Sequence, residues 1–300
     1  MASKEHMATP EDDARHTPGP ESRPLWNESY WFAWYDPKQE IGVAARFGML
    51  PNKGYANLYI LITHQGSLVY SMIDQRAALP PFEAGRVSTD GYTIEFEKPL
   101  DRFRLSYDRD GNGFDVTWEG YSPTCMWPHP PAPVDAVPRH IEHAGRVRGK
   151  VMIGAIEYAI DCLSRRDHSF GGERDWNRIA PWDYMSGEID EKFWFNAAKI
   201  QIAGMPQPVT VGCLFDGEEV MLTTKVEADV KLDETGIRQT GVDLRITDEK
   251  GREHYIVGEV PACANVWFGP TCLREGFAKW TYGERVGYGI HEHGYKESGD

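Results

Sequence analysis

The chain lacks the marks of several large protein classes. No apolar run approaches the roughly 20 residues that a membrane-crossing helix needs, and the polar start "MASKEHMATPEDDARHTPGPESRP" has no hydrophobic core of a secretory signal. No run of Lys and Arg exceeds two residues, and the net charge is −14, so a nucleic acid or an anionic membrane surface is excluded as the expected partner. Cysteine is sparse: Cys125, Cys162, Cys213, Cys263 and Cys272 form no C-x-x-C and are odd in number, which argues against a disulfide framework and for a reducing, cytoplasmic setting. There is no phosphate-binding P-loop, no G-x-G-x-x-G opening a helix and no G-x-S-x-G elbow around Ser169. Nucleotide cofactors and a serine-hydrolase mechanism therefore have no support. Long helices are missing too, since no segment of the first half sustains helical periodicity beyond two turns.

What the chain has is aromatic residues and turns. Aromatics make up 12 %, with ten tryptophans, a composition that suits strands and apolar pockets. Residues 1–24 are polar and proline-rich and are expected to be disordered. From Trp26 on, short apolar-alternating runs recur between turn signals, and "DRDGNG" at 108–113 is a strong hairpin signal. Five prolines crowd 128–138, where a sheet ladder would lose its donors, so this stretch is predicted to link an N-terminal β domain (25–127) to a C-terminal one (139–296).

The densest chemistry lies in "RRDHSFGGERDW", residues 165–176. If Gly171-Gly172 is a two-residue hairpin turn, His168 faces Asp175, Ser169 faces Arg174 and Asp167 faces Trp176 across the strands. A carboxylate beside His168 would fix its tautomer and keep it basic, as a general acid or base requires. A plain hairpin with exposed salt bridges, each worth less than about 1 kcal/mol, is the simpler alternative.

The longer run "YAIDCLSRRDHSFGGERDW" resembles the hallmark of the carotenoid 1,2-hydratase / AttH-like lipocalin-type superfamily. The start "WNESYWFAWYDPKQEIGVAARFGMLPNKGYANLYIL" and the end "YGERVGYGIHEHGY" resemble the same proteins more weakly, so the likeness spans nearly all of the chain after residue 25. The resemblance implies two lipocalin-like β domains. It also implies one of several chemistries, because the family includes isoprenoid hydratases, kievitone-type hydratases and Diels–Alder cyclases. Arg166, Asp167, His168, Arg174, Asp175 and Trp176 match the motif. Phe170 stands where Trp is usual, and Ser164 where Gly is common. In the carotenoid hydratase branch that His and Trp line the active site, which here leaves His168 without its Trp partner.

Three further groups are candidates. Glu28, Tyr30, Phe32 and Trp34 share one face if 26–36 is a strand, placing a carboxylate among aromatics. Trp182, Tyr184, Trp194 and Phe195 crowd the segment after the motif as a candidate pocket wall. His291 and His293 have a metal-ligand spacing, but no third ligand is evident, so no metal is expected. The reading is an all-β protein of two lipocalin-like barrel or sandwich domains, acting as a cofactor-independent hydratase or lyase on an apolar terpenoid, steroidal or phenolic molecule. His168, Asp167, Asp175 and Arg166 are the catalytic candidates. Phe170, Arg174, Trp176, Trp182, Tyr184, Trp194, Glu28 and Trp34 are the substrate-binding ones. A cyclase or isomerase with a shape-only pocket, or a hydrophobic-ligand carrier, is the alternative. No integral membrane association is expected, and a homodimer stays open.

Overall fold

The computed structural model describes residues 6–129 and 137–296. The described residues form two units, divided between Arg174 and Asp175. The first unit holds β1 (Trp26–Asp36), β2 (Ile41–Leu50), β3 (Tyr55–His64), β4 (Ser67–Ala78), β5 (Arg86–Thr89), β6 (Tyr92–Lys98), β7 (Arg102–Arg109), β8 (Asn112–Gly120), β9 (Cys125–Met126), β10 (Arg139–Ile153) and β11 (Ile156–Glu173). They form one antiparallel sheet in the order β4-β3-β2-β1-β11-β10-β8-β7-β6-β5, with β9 beside β10. The second unit is a closed barrel of β12 (Ile179–Asp190), β13 (Phe193–Ile202), β14 (Val209–Phe215), β15 (Val220–Leu232), β16 (Gln239–Asp248), β17 (Glu253–Phe268), β18 (Thr271–Tyr282) and β19 (Arg285–Lys296), with β19 returning to β12. The all-β, two-barrel architecture is the one read from the sequence. Among the described residues no helix is long and apolar enough to cross a membrane, and all five cysteines are free.

Local chemistry accounts for the strands. β17 alternates buried and exposed residues along nearly its whole length, the period-two pattern of a sheet with one face on a core. β2 is buried at every position, so apolar residues fill both of its faces and only Arg46, bonded to Asn57, interrupts the run. The β7–β8 hairpin turns at Asp110-Gly111, both at positive φ, as the "DG" signal requires. Each barrel is filled by its own side chains. In the first, Trp118 meets Phe103 at 5.7 Å and Phe32 at 6.2 Å, edge to face. In the second, Trp280 meets Phe195 at 5.1 Å in the same manner.

Three expectations need correction. The boundary falls at 174/175, not in the proline-rich stretch, because β10 and β11 continue the first sheet; residues 130–136 of that stretch lie outside the described ones. Gly171-Gly172 is not a hairpin turn, since β11 runs through it to Glu173 alongside β1. Here β11 carries one extra residue between Ser169 and Gly172, a bulge with Gly171 at φ 80°. Gly172 is needed for a close approach: a Cβ there would lie 2.3 Å from the Val137 carbonyl. Finally, of the supposed tail only 1–5 lies outside the described residues, and the segment from His6 on packs against the first unit through buried Asp13.

Trp118 is fully buried at the centre of the first barrel. Trp118→Ala should therefore cost about 3–5 kcal/mol in urea unfolding. A cost under about 1 kcal/mol would show that this interior is not close-packed.

Candidate functional site

β11 sends alternate side chains to opposite faces of the sheet, so the motif is split in two. Arg166, His168 and Phe170 point one way with Phe32 and Tyr30, their partners on β1 or neighbours on that face, toward the barrel core. Arg165, Asp167 and Ser169 point the other way, opposite Glu142 and His140 of β10.

The inward face is a closed charge cluster. Arg166 donates two parallel hydrogen bonds to Asp13, at 2.8 and 2.9 Å. Its guanidinium lies over the Phe103 and Trp118 rings, 4.4 and 5.1 Å from their centroids. His168 Nε2 is 3.1 Å from Glu28 Oε1, and Nδ1 is 3.5 Å from Asp13 Oδ1. Tyr30 stacks on the imidazole at 4.2 Å and donates its hydroxyl to Glu28 at 3.0 Å. His16 donates its backbone N–H to Glu28 at 2.9 Å, and its ring stacks on Phe170 at 4.3 Å. Asp13, Glu28, Arg166 and His168 are each at most 1 % exposed. Two anions thus meet two cations, the condition under which charges tolerate burial.

The acid–base state follows. Burial works to lower the His168 pKa, but hydrogen bonds and charge from Asp13 and Glu28 outweigh it and hold it above the ordinary value. Burial likewise works to raise Asp13 and Glu28. Arg166 and His168 override it at Asp13, and His16 and His168 at Glu28, so both stay below the carboxylate range. His168 is then an imidazolium whose two N–H groups face carboxylates, with no lone pair to accept a proton. His143, opposite Arg166, is driven down to about 3 by burial and by that guanidinium, and it donates Nε2–H to the Ser122 carbonyl at 2.8 Å.

The outward face is a different device. Arg174 donates to Ser169 Oγ at 2.7 Å, Ser169 lies 2.7 Å from His140 Nδ1, and His140 Nε2 lies 2.7 Å from Glu142 Oε1. Burial pushes His140 down to about 4, so at neutral pH the ring is neutral. The network assigns the proton to Nε2, facing Glu142, and leaves Nδ1 to accept from Ser169. The Trp127 ring covers the imidazole at 4.0 Å. Asp167 sits beside this chain, half-buried, and burial together with the Glu142 charge lifts its pKa to about 6 against the pull of the Arg174 and Arg46 guanidinium groups.

Two donor sets are compact enough for a metal ion, His16/Glu28/His168 and His140/Glu142/Asp167. In the first, His168 is held cationic. In the second, both His140 nitrogens are engaged within the protein, and Arg165 lies 3.8 Å from Glu142. Neither set fits a resident cation well.

The other sequence candidates lie elsewhere. Trp34 is a core residue of the first barrel. Asp175 does not meet His168; it caps a short turn, accepting from the Asn177 N–H at 2.9 Å. Trp176 stacks on Phe268 at 4.6 Å, near Trp182, which donates Nε1–H to Glu292. Trp182, Tyr184 and Trp194 are buried in the second unit. His291 and His293 share one acceptor, Asp183 Oδ1, at 3.2 and 2.7 Å. Sequence reasoning missed Asp13, His16, His140, Glu142 and Trp127. Asp13 sat in a presumed tail; its only signal was that a buried Arg166 requires an acid.

Fold and site define a two-barrel, lipocalin-like protein with a charged strand at the heart of its first barrel. The chain belongs to the family described as "Domain of unknown function (DUF7064)", which matches residues 9–296. No curated protein matches it. Among solved structures it is similar to a protein described as an AttH from Nitrosomonas europaea, at 13 % identity and a TM-score of 0.68 over 90 % of this chain and 92 % of that one. It is similar to kievitone hydratase from Nectria haematococca at 14 % identity and a TM-score of 0.70, over 90 % and 89 % of the two chains. It is also similar to CghA at 11 % identity and a TM-score of 0.61, over 92 % and 90 %. These likenesses are of fold, and they match the superfamily that the sequence motifs resemble.

The inward cluster sets a pH window. Asp13 and Glu28, lowered by folding, stabilise the protein above the ordinary carboxylate range and lose that effect as pH falls. His168, raised by folding, stabilises it below its ordinary value of about 6.5 and loses that effect as pH rises through the folded value. Glu28→Gln should cost about 3–5 kcal/mol near pH 6 and flatten the acid limb of urea-unfolding stability. An unchanged acid limb would show that Glu28 carries no such linkage.

Proposed function

We propose that this chain is an enzyme of hydratase or lyase type that moves a proton to or from an apolar small molecule, with Asp167 as the proton-transfer group. The observation that carries this reading is the contrast along β11: His168 is sealed between two carboxylates, whereas Asp167 is half-buried and titrates at about 6 beside a neutral His140. A general acid works best with a pKa near the operating pH. Protonated Asp167 would donate to a substrate double bond, water would capture the carbocation, and the resulting oxonium would return its proton to the Asp167 carboxylate; elimination is the same path reversed. The Arg174–Ser169–His140–Glu142 chain holds the neighbouring groups in place and balances the carboxylate once it has given up its proton. Trp127, over His140, offers an apolar face. Likeness of fold to kievitone hydratase supports the reaction class. His168 and Arg166 act here as positioning residues that fix β11. No cofactor enters the reading, and the substrate class is terpenoid, steroidal or phenolic.

Kievitone and a panel of prenylated phenols, terpenoids and steroids would serve as substrates. Asp167→Asn should lower turnover by roughly 10²–10⁴ while leaving substrate affinity within a few-fold. In the wild type, kcat/KM should fall as pH rises through about 6, and that limb should vanish in the variant. Near wild-type turnover in folded Asp167→Asn would favour catalysis by pocket shape, as in a cyclase. Ligand recovered unchanged from every member of the panel would favour a carrier.

A further inference from the structure

We propose that the first unit contains a carboxylate-binding site which the chain fills with its own Asp13, and that the carboxylate of an apolar acid displaces it. The receiving groups belong to the sheet and its loops, not to the N-terminal segment. Arg166 presents two N–H groups, the Leu100 backbone N–H donates to Asp13 Oδ2 at 2.5 Å, and His168 Nδ1 lies 3.5 Å from Oδ1. Arg166 and His168 are both fully buried. Two fixed cations and a backbone donor around one carboxylate make a built anion site, with the two-pronged geometry that selects carboxylates.

Apart from that group, the segment that delivers Asp13 is held by contacts at the surface of the unit more than by apolar burial. Among its described residues before Trp26, Ala8 is the one apolar side chain that is buried, and it is small. The remaining ties are ring contacts of His16 with Phe170 and of Arg15 with Phe82, and polar ones: Ala8 N–H to Thr124, Asp12 to Arg139, Arg15 to the Pro80 and Pro81 carbonyls, His16 to Glu28, the Tyr30 hydroxyl to the Ala14 carbonyl, Asn52 to Ser22 and the Arg23 carbonyl, and Arg23 to Glu173. No strand is formed there among the described residues, so release breaks no sheet ladder. Departure of Asp13 alone would leave Arg166 and His168 with a single carboxylate between them, which burial opposes. Release is therefore coupled to the arrival of another anion, and a ligand gains by binding only the open state. His16 stacks on Phe170 in the closed state, so release also bares that ring. An acid with a flat apolar body fits the two vacated contacts together. This inference stands apart from the role given to Asp167.

Asp13→Ala in the full chain tests the site, with formate as the probe and chloride at equal ionic strength as the control. The variant should melt several degrees lower than wild type, and formate should return at least half of the loss, saturably. The wild type should not respond, and neither should Asp13→Ala/Arg166→Met. Equal effects of formate and chloride, or rescue that persists without Arg166, would overturn the proposal. Wild-type protein supplies an arm that needs no variant: benzoate should speed tryptic cleavage after Arg15 several-fold, read by mass spectrometry, and chloride should not. Cleavage indifferent to benzoate would overturn displacement even if formate rescues the variant.

Discussion

The Arg166–Asp13 pair is the constraint on which the first barrel depends. A guanidinium cannot shed its charge, so Arg166, lying over the Phe103 and Trp118 rings with no exposure, must be given an acid. No acid on the neighbouring strand residues opposite Arg166 is available: those positions are Phe32 and His143. The chain meets the need from its N-terminal segment, which is why residues that look like a tail are packed against the sheet. Once Asp13 is in place its second neighbour is His168, and the imidazolium in turn requires Glu28. The four charges are one interlocked unit.

That unit explains how a single strand serves two purposes. The period of two puts Arg166 and His168 on the inward face, where acids neutralise them, and Ser169 and the half-buried Asp167 on the opposite face, beside His140 and Glu142. The inward cluster fixes the strand, and the strand presents Asp167 beside the His140–Glu142 pair at a defined register. A half-buried carboxyl titrating at about 6 is useful for chemistry only when its surroundings do not rearrange as it titrates. The adjacent Arg174–Ser169–His140–Glu142 chain supplies such surroundings, with His140 neutral throughout the relevant range.

The fold was legible because its signals are local. Alternating runs, the Asp110-Gly111 turn and the motifs at start, middle and end all act within a few residues, and the structure has the two barrels they imply. The site was legible only in part. The R-D-H-S core drew attention to the right strand, and Glu28 was picked out as a carboxylate among aromatics. The partners were not visible, because pairing across a sheet depends on register. Gly-Gly read as a turn, yet Gly171 makes a bulge and Gly172 admits the Val137 backbone, so His168 meets Glu28 and Asp13 instead of Asp175. Proline misled in the same way: it marks a connection within the first unit, while the division comes after β11.

The central claim is that His168 is a fixed cation and that His140 is a neutral member of the outward face. Nitrogen NMR of the two imidazole rings near pH 6 tests it directly. The account predicts both nitrogens of His168 protonated, and His140 neutral with its proton on Nε2 until the pH falls toward about 4. A neutral His168 beside a cationic His140 would contradict it, and would return the proton-transfer role to the inward face.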